Sequence, residues 1–183
     1  SRVAMAGHWD KANNYVRGIE DYLLTEQYRR PEHQQKVVED ILDNWIQYSQ
    51  NNKFHGMFAT SSIAEAIEYY RLFKELKPEL KITALFDPNI DNNENAKFKE
   101  DGLVEIISDY NNRYGMEFSL ATHAKMKRDI ADRLAHKELY KRVEHAPEKQ
   151  LELLIVVDQM LTGFDSKWVN TLYLDKMLEY ANL

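Results

Sequence analysis

Leu151-Glu152-Leu153-Leu154-Ile155-Val156-Val157, followed by Asp158, is the stretch of this 183-residue chain that decides its fold class. Six of its seven residues are apolar, and polar and apolar positions do not alternate. A continuous apolar run of this length is typical of a strand buried on both faces, as in a parallel sheet covered by helices. The stretch therefore predicts a buried strand of an α/β fold.

A strand, a helix and a second strand are predicted upstream of this stretch. Residues 54–59 form a short apolar run, residues 63–76 return to helical spacing, and residues 81–86 read as the next strand. Ser62 and Glu65 stand three residues apart, as in a capping box, and mark the start of the helix. A strand–helix–strand unit of this length implies parallel strands joined by a right-handed crossover.

Helical periodicity and a last strand account for most of the remaining chain. Apolar spacing predicts helices over residues 10–23, 102–114 and 119–135, and a strand over residues 169–174. A further helix is predicted with Pro31 in its first turn, an apolar stripe over residues 37–46 and a stop at Asn51-Asn52. Residues 87–101 are polar and predict a loop. We expect a helical linker or packing segment over residues 1–50 and one α/β domain over residues 51–183.

Composition and charge exclude several classes of protein. Acidic residues outnumber basic ones, 30 against 24, for a net charge of −6, which argues against a purely electrostatic nucleic-acid binder. The absence of cysteine removes disulfide scaffolds, thiol nucleophiles and Cys-ligated zinc, and no His-Glu-x-x-His spacing suggests a metal site. None of the six glycines precedes a lysine, so the chain has no phosphate-binding loop of its own.

With no signal-like or membrane-spanning stretch, we expect a cytoplasmic protein. Because position 1 is not Met, we also expect a piece of a longer chain.

The charges are unevenly distributed. Residues 87–109 carry seven acidic residues against two lysines, whereas residues 119–150 carry eight basic residues against five acidic ones. The basic residues of this second segment are Lys125, Lys127, Arg128, Arg133, Lys137, Lys141, Arg142 and Lys149. They form either a solvated helix face or a basic strip that follows a phosphate backbone.

Polar residues follow the predicted strands, where parallel sheets place their ligands. Thr60-Ser61-Ser62 combines hydroxyls with the backbone N–H groups of a helix N-terminus, an arrangement that either holds a phosphate or simply caps the helix. Asp87, Asp158 and Asp165 also stand at strand ends and are candidates for a carboxylate pair.

Two of these stretches resemble helicase motifs of the motor (R) subunits of type I restriction enzymes. Phe58-Ala59-Thr60-Ser61-Ser62-Ile63-Ala64-Glu65-Ala66-Ile67-Glu68-Tyr69-Tyr70 resembles motif IV. Leu154-Ile155-Val156-Val157-Asp158-Gln159-Met160-Leu161-Thr162-Gly163-Phe164-Asp165 resembles motif V. The order of the motifs also fits, and the similarity extends from about residue 31 to the end of the chain.

The resemblance implies a fragment of an ATP-dependent superfamily 2 translocase that acts on double-stranded DNA and is fused to an endonuclease. Such a motor has two RecA-like domains of the P-loop NTPase type, with ATP and Mg²⁺ in the cleft between them. This chain resembles the second domain, which contributes DNA-backbone grip and half of the ATP cleft. Its partners would be the first RecA-like domain and the nuclease domain of the same chain, together with methyltransferase and specificity subunits. The host would be bacterial or archaeal.

The resemblance also implies roles for single residues. Thr60, Ser61 and Thr162 correspond to backbone contacts with DNA, and Gly163 and Asp165 to the nucleotide side. The charge distribution, and not the resemblance, makes Lys125, Lys127 and Arg128 the candidates for the basic strip on DNA. No catalytic residue is expected in the chain, because the motif VI arginine would follow Leu183. We therefore expect the isolated chain to be inactive.

Two alternatives stay open at this point. Another superfamily 2 DNA or RNA helicase would share the motif order. A doubly wound nucleotide-binding or regulatory domain is the alternative from a different class. A receiver-type domain is disfavoured, since the first strand ends in Ala59-Thr60-Ser61 without an acidic residue.

Overall fold

The computed structural model describes residues 8–9, 15–16, 31–87, 96–157 and 166–175, and the chain divides into two compact units, residues 1–36 and 37–183. In the smaller unit, strands β1 (His8–Trp9) and β2 (Tyr15–Val16) pair antiparallel. The helix predicted over residues 10–23 is therefore wrong at Tyr15–Val16. Helical spacing of apolar residues does not reveal that a segment is extended by pairing with another strand. The rest of that predicted helix lies outside the described residues.

The larger unit contains a four-stranded sheet in which every strand pair is parallel. Its strands are β3 (His55–Thr60), β4 (Ile82–Leu85), β5 (Leu153–Val157) and β6 (Val169–Asp175), in the order β4-β5-β3-β6. This confirms the α/β class and the buried strand predicted from residues 151–157. Strand β5 lies between β3 and β4, so the strands of the strand–helix–strand unit are parallel without being neighbours.

Helices flank this sheet. They are α1 (Pro31–Tyr48), α2 (Ile63–Leu76), α3 (Ala96–Tyr114) and α4 (His123–Ala135), with short 3₁₀ turns at Leu120–Thr122, Glu138–Tyr140, Val143–His145 and Pro147–Lys149. Helix α2 has its predicted bounds. Helix α3 starts six residues before its predicted start, in a stretch read as loop, because its first turns carry little apolar pattern beyond the half-buried Phe98.

The end of α1 shows how local chemistry stops a helix. Gln50, Asn51 and Asn52 follow it with φ of 50°, 59° and 62°. Asparagine tolerates this left-handed region better than most residues, because its short amide bonds to nearby backbone. The Asn52 side chain accepts the indole N–H of Trp45 at 2.8 Å and so fixes the turn to the helix.

Helices α1 and α2 both pack on β3. The ring of Trp45 lies over Gly56, where a Cβ would be only 3.0 Å from the Trp45 Cζ3 atom. Phe58 packs edge-on against Tyr69, with ring centroids 4.7 Å apart.

Among the described residues, no helix combines the length and apolar character that a bilayer crossing requires.

Candidate functional site at the carboxyl edge of the sheet

The strand ends meet at one edge of the sheet. Thr60, the last residue of β3, lies opposite Val157 of β5 and Asp175 of β6. Leu85 at the end of β4 lies opposite Val156. The turn between β3 and α2, residues 60–62, therefore occupies the centre of this edge, where parallel sheets place their ligands.

Hydrogen bonds inside this turn prepare the N-terminus of α2. Ser62 is the N-cap, and its hydroxyl oxygen accepts the Glu65 N–H at 3.2 Å. The buried Glu65 carboxylate accepts the Ser61 N–H at 3.0 Å. The capping box predicted from Ser62 and Glu65 thus marks the helix start, although its return bond reaches one residue further back than usual. The Ser61 residue itself is exposed.

Thr60 differs from Ser61 in being completely buried. Its hydroxyl lies 3.2 Å from the Ser62 carbonyl oxygen and 3.3 Å from that of Val156. The side chain is therefore engaged inside the protein. A role of Thr60 in DNA contact through its backbone stays a prediction.

Behind the turn, a buried pair joins α2 to β6. The Tyr69 hydroxyl donates to the Asp175 carboxylate, and both residues are at least nine-tenths buried. Burial and the Asp175 hydrogen bond raise the pKa of the Tyr69 phenol far above its ordinary value, so the donor stays protonated. This pair fixes the end of β6 against the helix that follows the candidate turn.

His123, the first residue of α4, interacts electrostatically with Asp87, which stands two residues after the end of β4. Burial lowers the pKa of His123, the carboxylate of Asp87 opposes this change, and the ammonium of Lys127 adds to it. The His123 Nε2 atom is buried and has no hydrogen-bond partner among the described residues. Asp87, His123 and Lys127 are thus close enough to interact electrostatically at the end of β4.

The three predicted strip residues of α4 do not share one flank of the helix. Met126 and Ile130 are buried and define its inner face, whereas Lys125, Lys127 and Arg128 are exposed. Residues three or four apart lie on the same side of a helix. Lys127 therefore shares a flank with His123 and the carboxyl edge, and Lys125 shares the opposite flank with Arg128.

Arg133 does not belong to the surface strip, contrary to the sequence-based interpretation. It is only 2% exposed, and its Nε donates to Tyr110 Oη at 2.9 Å and to Asp129 Oδ2 at 3.0 Å. Its guanidinium also lies 3.8 Å from the ring centroid of Tyr114 and 4.3 Å from that of Tyr140. Long-range packing of aromatic rings decides its position, and the helical spacing of charges does not show this.

The described residues contain only part of the predicted site. Asp158, Thr162, Gly163 and Asp165 lie outside them. The sequence missed Asp175 and His123 as members of this edge, since their place depends on the order of the strands and the direction of α4. A strand ending in an acidic residue, as at Leu174-Asp175, was the available signal for Asp175.

Neither a phosphate-binding loop nor a metal cluster is present among the described residues. The chain lacks a Gly-Lys phosphate loop, and both predicted nucleotide contacts are among the residues that are not described. Within the described ranges, no group of three or more histidines, aspartates or glutamates converges as a metal site would require.

Comparison with known proteins identifies the family. The model of the type I restriction enzyme subunit R domain 3 family matches residues 52–183. The endonuclease subunit of the type I restriction enzyme SauCOLORF180P from Staphylococcus aureus (strain COL) is 34% identical over 155 residues, which is 80% of this chain and 16% of that protein. The corresponding SsaAORF53P subunit from Staphylococcus saprophyticus is 30% identical over 156 residues, again 80% of this chain and 16% of the relative. The chain thus spans about a sixth of these relatives. The resemblance predicted from motifs IV and V is confirmed, and the chain belongs to the type I restriction enzyme subunit R domain 3 family.

Proposed function

We propose that this chain is the second RecA-like domain of the DNA translocase motor in a type I restriction endonuclease R subunit. In this role it grips the backbone of double-stranded DNA and completes one side of an ATP cleft. The parent enzyme is then an ATP-dependent site-specific deoxyribonuclease.

The observation that supports this proposal best is the turn at the carboxyl edge. An exposed serine and the first N–H groups of a 14-residue helix stand there at the edge of a parallel sheet. Such N–H groups and hydroxyls bind phosphate oxygens, because the helix dipole and the unpaired donors both favour an anion. Phosphate contacts of this kind fix a protein on DNA without reading its sequence, which suits a translocase.

Each residue of the turn has a distinct part in this proposal. The Ser61 N–H is taken by Glu65, so we assign the Ser61 contribution to its exposed hydroxyl. Lys127 adds a positive charge on the flank of α4 that faces the edge, and the release of counterions from DNA makes its contribution dependent on salt. Thr162, which follows β5 in sequence, is proposed as a further DNA contact.

ATP supplies the free energy for movement along DNA, and the phosphate loop and the acidic residues for Mg²⁺ belong to another domain of the parent chain. Gly163 and Asp165 are the residues we assign to the nucleotide side in this domain. The nuclease domain of the same chain and separate methyltransferase and specificity subunits complete the proposed assembly. The isolated 183-residue chain is expected to hydrolyse no ATP and to cut no DNA.

A translocation assay on the full-length R subunit, assembled with its methyltransferase and specificity subunits, tests this function. ATP should drive displacement of a DNA triplex placed downstream of the recognition site. Asp165→Ala should slow displacement at least tenfold, whereas Asp101→Ala on the exposed face of α3 should not change it. Triplex displacement at the normal rate by Asp165→Ala would remove Asp165 from the site, and no displacement by the wild-type assembly would contradict the motor function.

A further inference from the structure

Thr60 stands at the centre of the candidate edge but exposes no surface to a ligand. Its relative exposure is 0%, in contrast to the exposed Ser61 beside it. A buried hydroxyl needs a hydrogen-bond partner, and Thr60 has two carbonyl oxygens within reach. The arrangement of these two acceptors indicates what the side chain does.

The two acceptors belong to different parts of the fold. The Ser62 carbonyl oxygen also accepts the Ala66 N–H at 3.0 Å, which is the first backbone bond of α2. Val156 is the penultimate residue of β5, the strand that lies beside β3. One hydroxyl hydrogen serves both oxygens, at 3.2 Å and 3.3 Å, so the Thr60 side chain links the start of α2 to the end of β5.

We propose that Thr60 is a positioning residue whose hydroxyl fixes the turn 60–62 against the end of β5 and thereby orients the N-terminus of α2 toward DNA. This inference rests on the proposed function in one respect, namely that the turn binds the DNA backbone. It assigns to Thr60 an indirect role through Ser61 and the α2 amides. Thr60 is connected to the proposed DNA-binding groups, the Ser61 hydroxyl and the first amides of α2, only through the backbone of the turn.

Two substitutions distinguish the effect of the Thr60 hydroxyl from the effect of the shape of its side chain. Thr60→Val keeps the volume and branching and removes the donor, whereas Thr60→Ser keeps the donor and removes a methyl group. The Ser62 carbonyl retains its bond from Ala66 in both variants, so α2 still forms. The net free energy of one hydrogen bond corresponds to a factor of about 2 to 10 in an equilibrium constant. This factor sets the size of the change in Kd expected for Thr60→Val.

The test measures binding of a fluorescein-labelled DNA duplex to the full-length R subunit by fluorescence anisotropy at several salt concentrations. Thr60→Val should raise Kd about three- to tenfold with an unchanged salt slope, because no charged contact is lost. Thr60→Ser should stay within about twofold of wild type. Binding by Thr60→Val at the wild-type level would overturn the inference, and so would equal weakening by both variants, since that would assign the effect to packing.

Amide hydrogen exchange gives a second readout that does not depend on DNA. In Thr60→Val the amides of residues 61–63 should exchange faster than in Thr60→Ser, while those of β4 should not change. Unchanged exchange of residues 61–63 in Thr60→Val would overturn the inference even if the DNA affinity fell. Failure of the wild-type subunit to bind any duplex would contradict the proposed function, and the exchange comparison would still test the effect of Thr60 on the turn.

Discussion

The Nε2 atoms of His55 and His136 lie 2.8 Å apart, and both residues are buried. The Nδ1 atom of His55 contacts the Leu151 carbonyl oxygen, which can only accept a hydrogen bond. His55 therefore carries its proton on Nδ1 and accepts at Nε2, and His136 donates from its Nε2. The His136 ring is stacked on Trp168, with centroids 4.2 Å apart. This pair joins the start of β3 to the end of α4.

The pair makes the stability of the larger unit sensitive to acid. Burial lowers the pKa of His55 from 6.5 to about 4, and burial also lowers that of His136. The unfolded chain binds these protons below about pH 6.5 and the folded chain does not, so the free energy of unfolding should fall as the pH drops from about 6.5 to 4. The His55 contribution is on the order of 3 kcal/mol over that window. Urea unfolding at pH 7.5, 6, 5 and 4 measures it.

Matched histidine variants identify the source of this pH dependence. His55→Asn keeps a donor toward Leu151 and cannot titrate, so it should be less stable at pH 7.5 but show a flatter pH profile. His145→Gln, at an exposed position, should leave the profile as it is. A profile of His55→Asn parallel to that of wild type would contradict the assignment.

Arg133 should be the most sensitive basic residue of α4. Arg133→Met removes a buried guanidinium and leaves the Asp129 carboxylate, whose side chain is 11% exposed, without its cation. Breaking a buried ion pair in this way costs about 3–5 kcal/mol. Arg128→Met, at an exposed position of the same helix, should change the free energy of unfolding by less than about 0.5 kcal/mol. Chemical denaturation compares the two, and equal losses would refute the structural role of Arg133.

Gly102 allows α3 to approach α2. A Cβ at this position would lie 2.5 Å from the Cδ1 atom of the fully buried Ile67. Gly102→Ala gains about 1 kcal/mol of helix propensity but overpacks the contact by about 1–3 kcal/mol, so a net loss of stability is expected. Ile67→Val removes the Cδ1 atom, and the double variant should be more stable than the sum of the single changes predicts. Strict additivity in a thermal-unfolding cycle would exclude the steric explanation.

The flanks of α4 predict different effects on DNA binding. Lys127→Glu, on the side of His123 and the carboxyl edge, should weaken binding of a DNA duplex to the full-length R subunit and reduce the salt slope by about 1–2. Lys125→Glu, on the other flank, should have the smaller effect. Equal effects in a salt titration would mean that the whole helix faces the DNA.

Much of the sheet was predictable from local sequence. The apolar run at 151–157 and the Ser62–Glu65 pair are local signals, and they gave a buried strand and the correct start of α2. The order of the strands was not predictable, because the position of β5 between β3 and β4 depends on contacts far apart in the chain. The antiparallel pairing of Tyr15–Val16 with His8–Trp9 is local, and it was missed because the apolar spacing of this segment is helical.

The candidate site was predictable to a smaller extent. Thr60 and Ser61 stand next to each other in sequence, and only the structure shows that one hydroxyl is buried and the other is exposed. The charge of Arg133 suggested a surface strip, but three tyrosine rings surround its guanidinium in the core. Charge patterns give the number of cations on a helix, whereas burial decides which of them reach a ligand.

Cross-linking tests most directly whether the turn between β3 and α2 contacts DNA. In one variant a photo-cross-linking amino acid replaces Ser61, which is exposed on the carboxyl edge. In the control it replaces Leu139, which is 87% exposed and lies a few residues after the C-terminal end of α4. Both variants of the full-length R subunit are irradiated with a labelled DNA duplex. We expect a cross-link at position 61 that disappears as the salt concentration rises, and little or none at position 139. No cross-link at position 61 in a subunit that binds the duplex, or equal yields at both positions, would contradict the account.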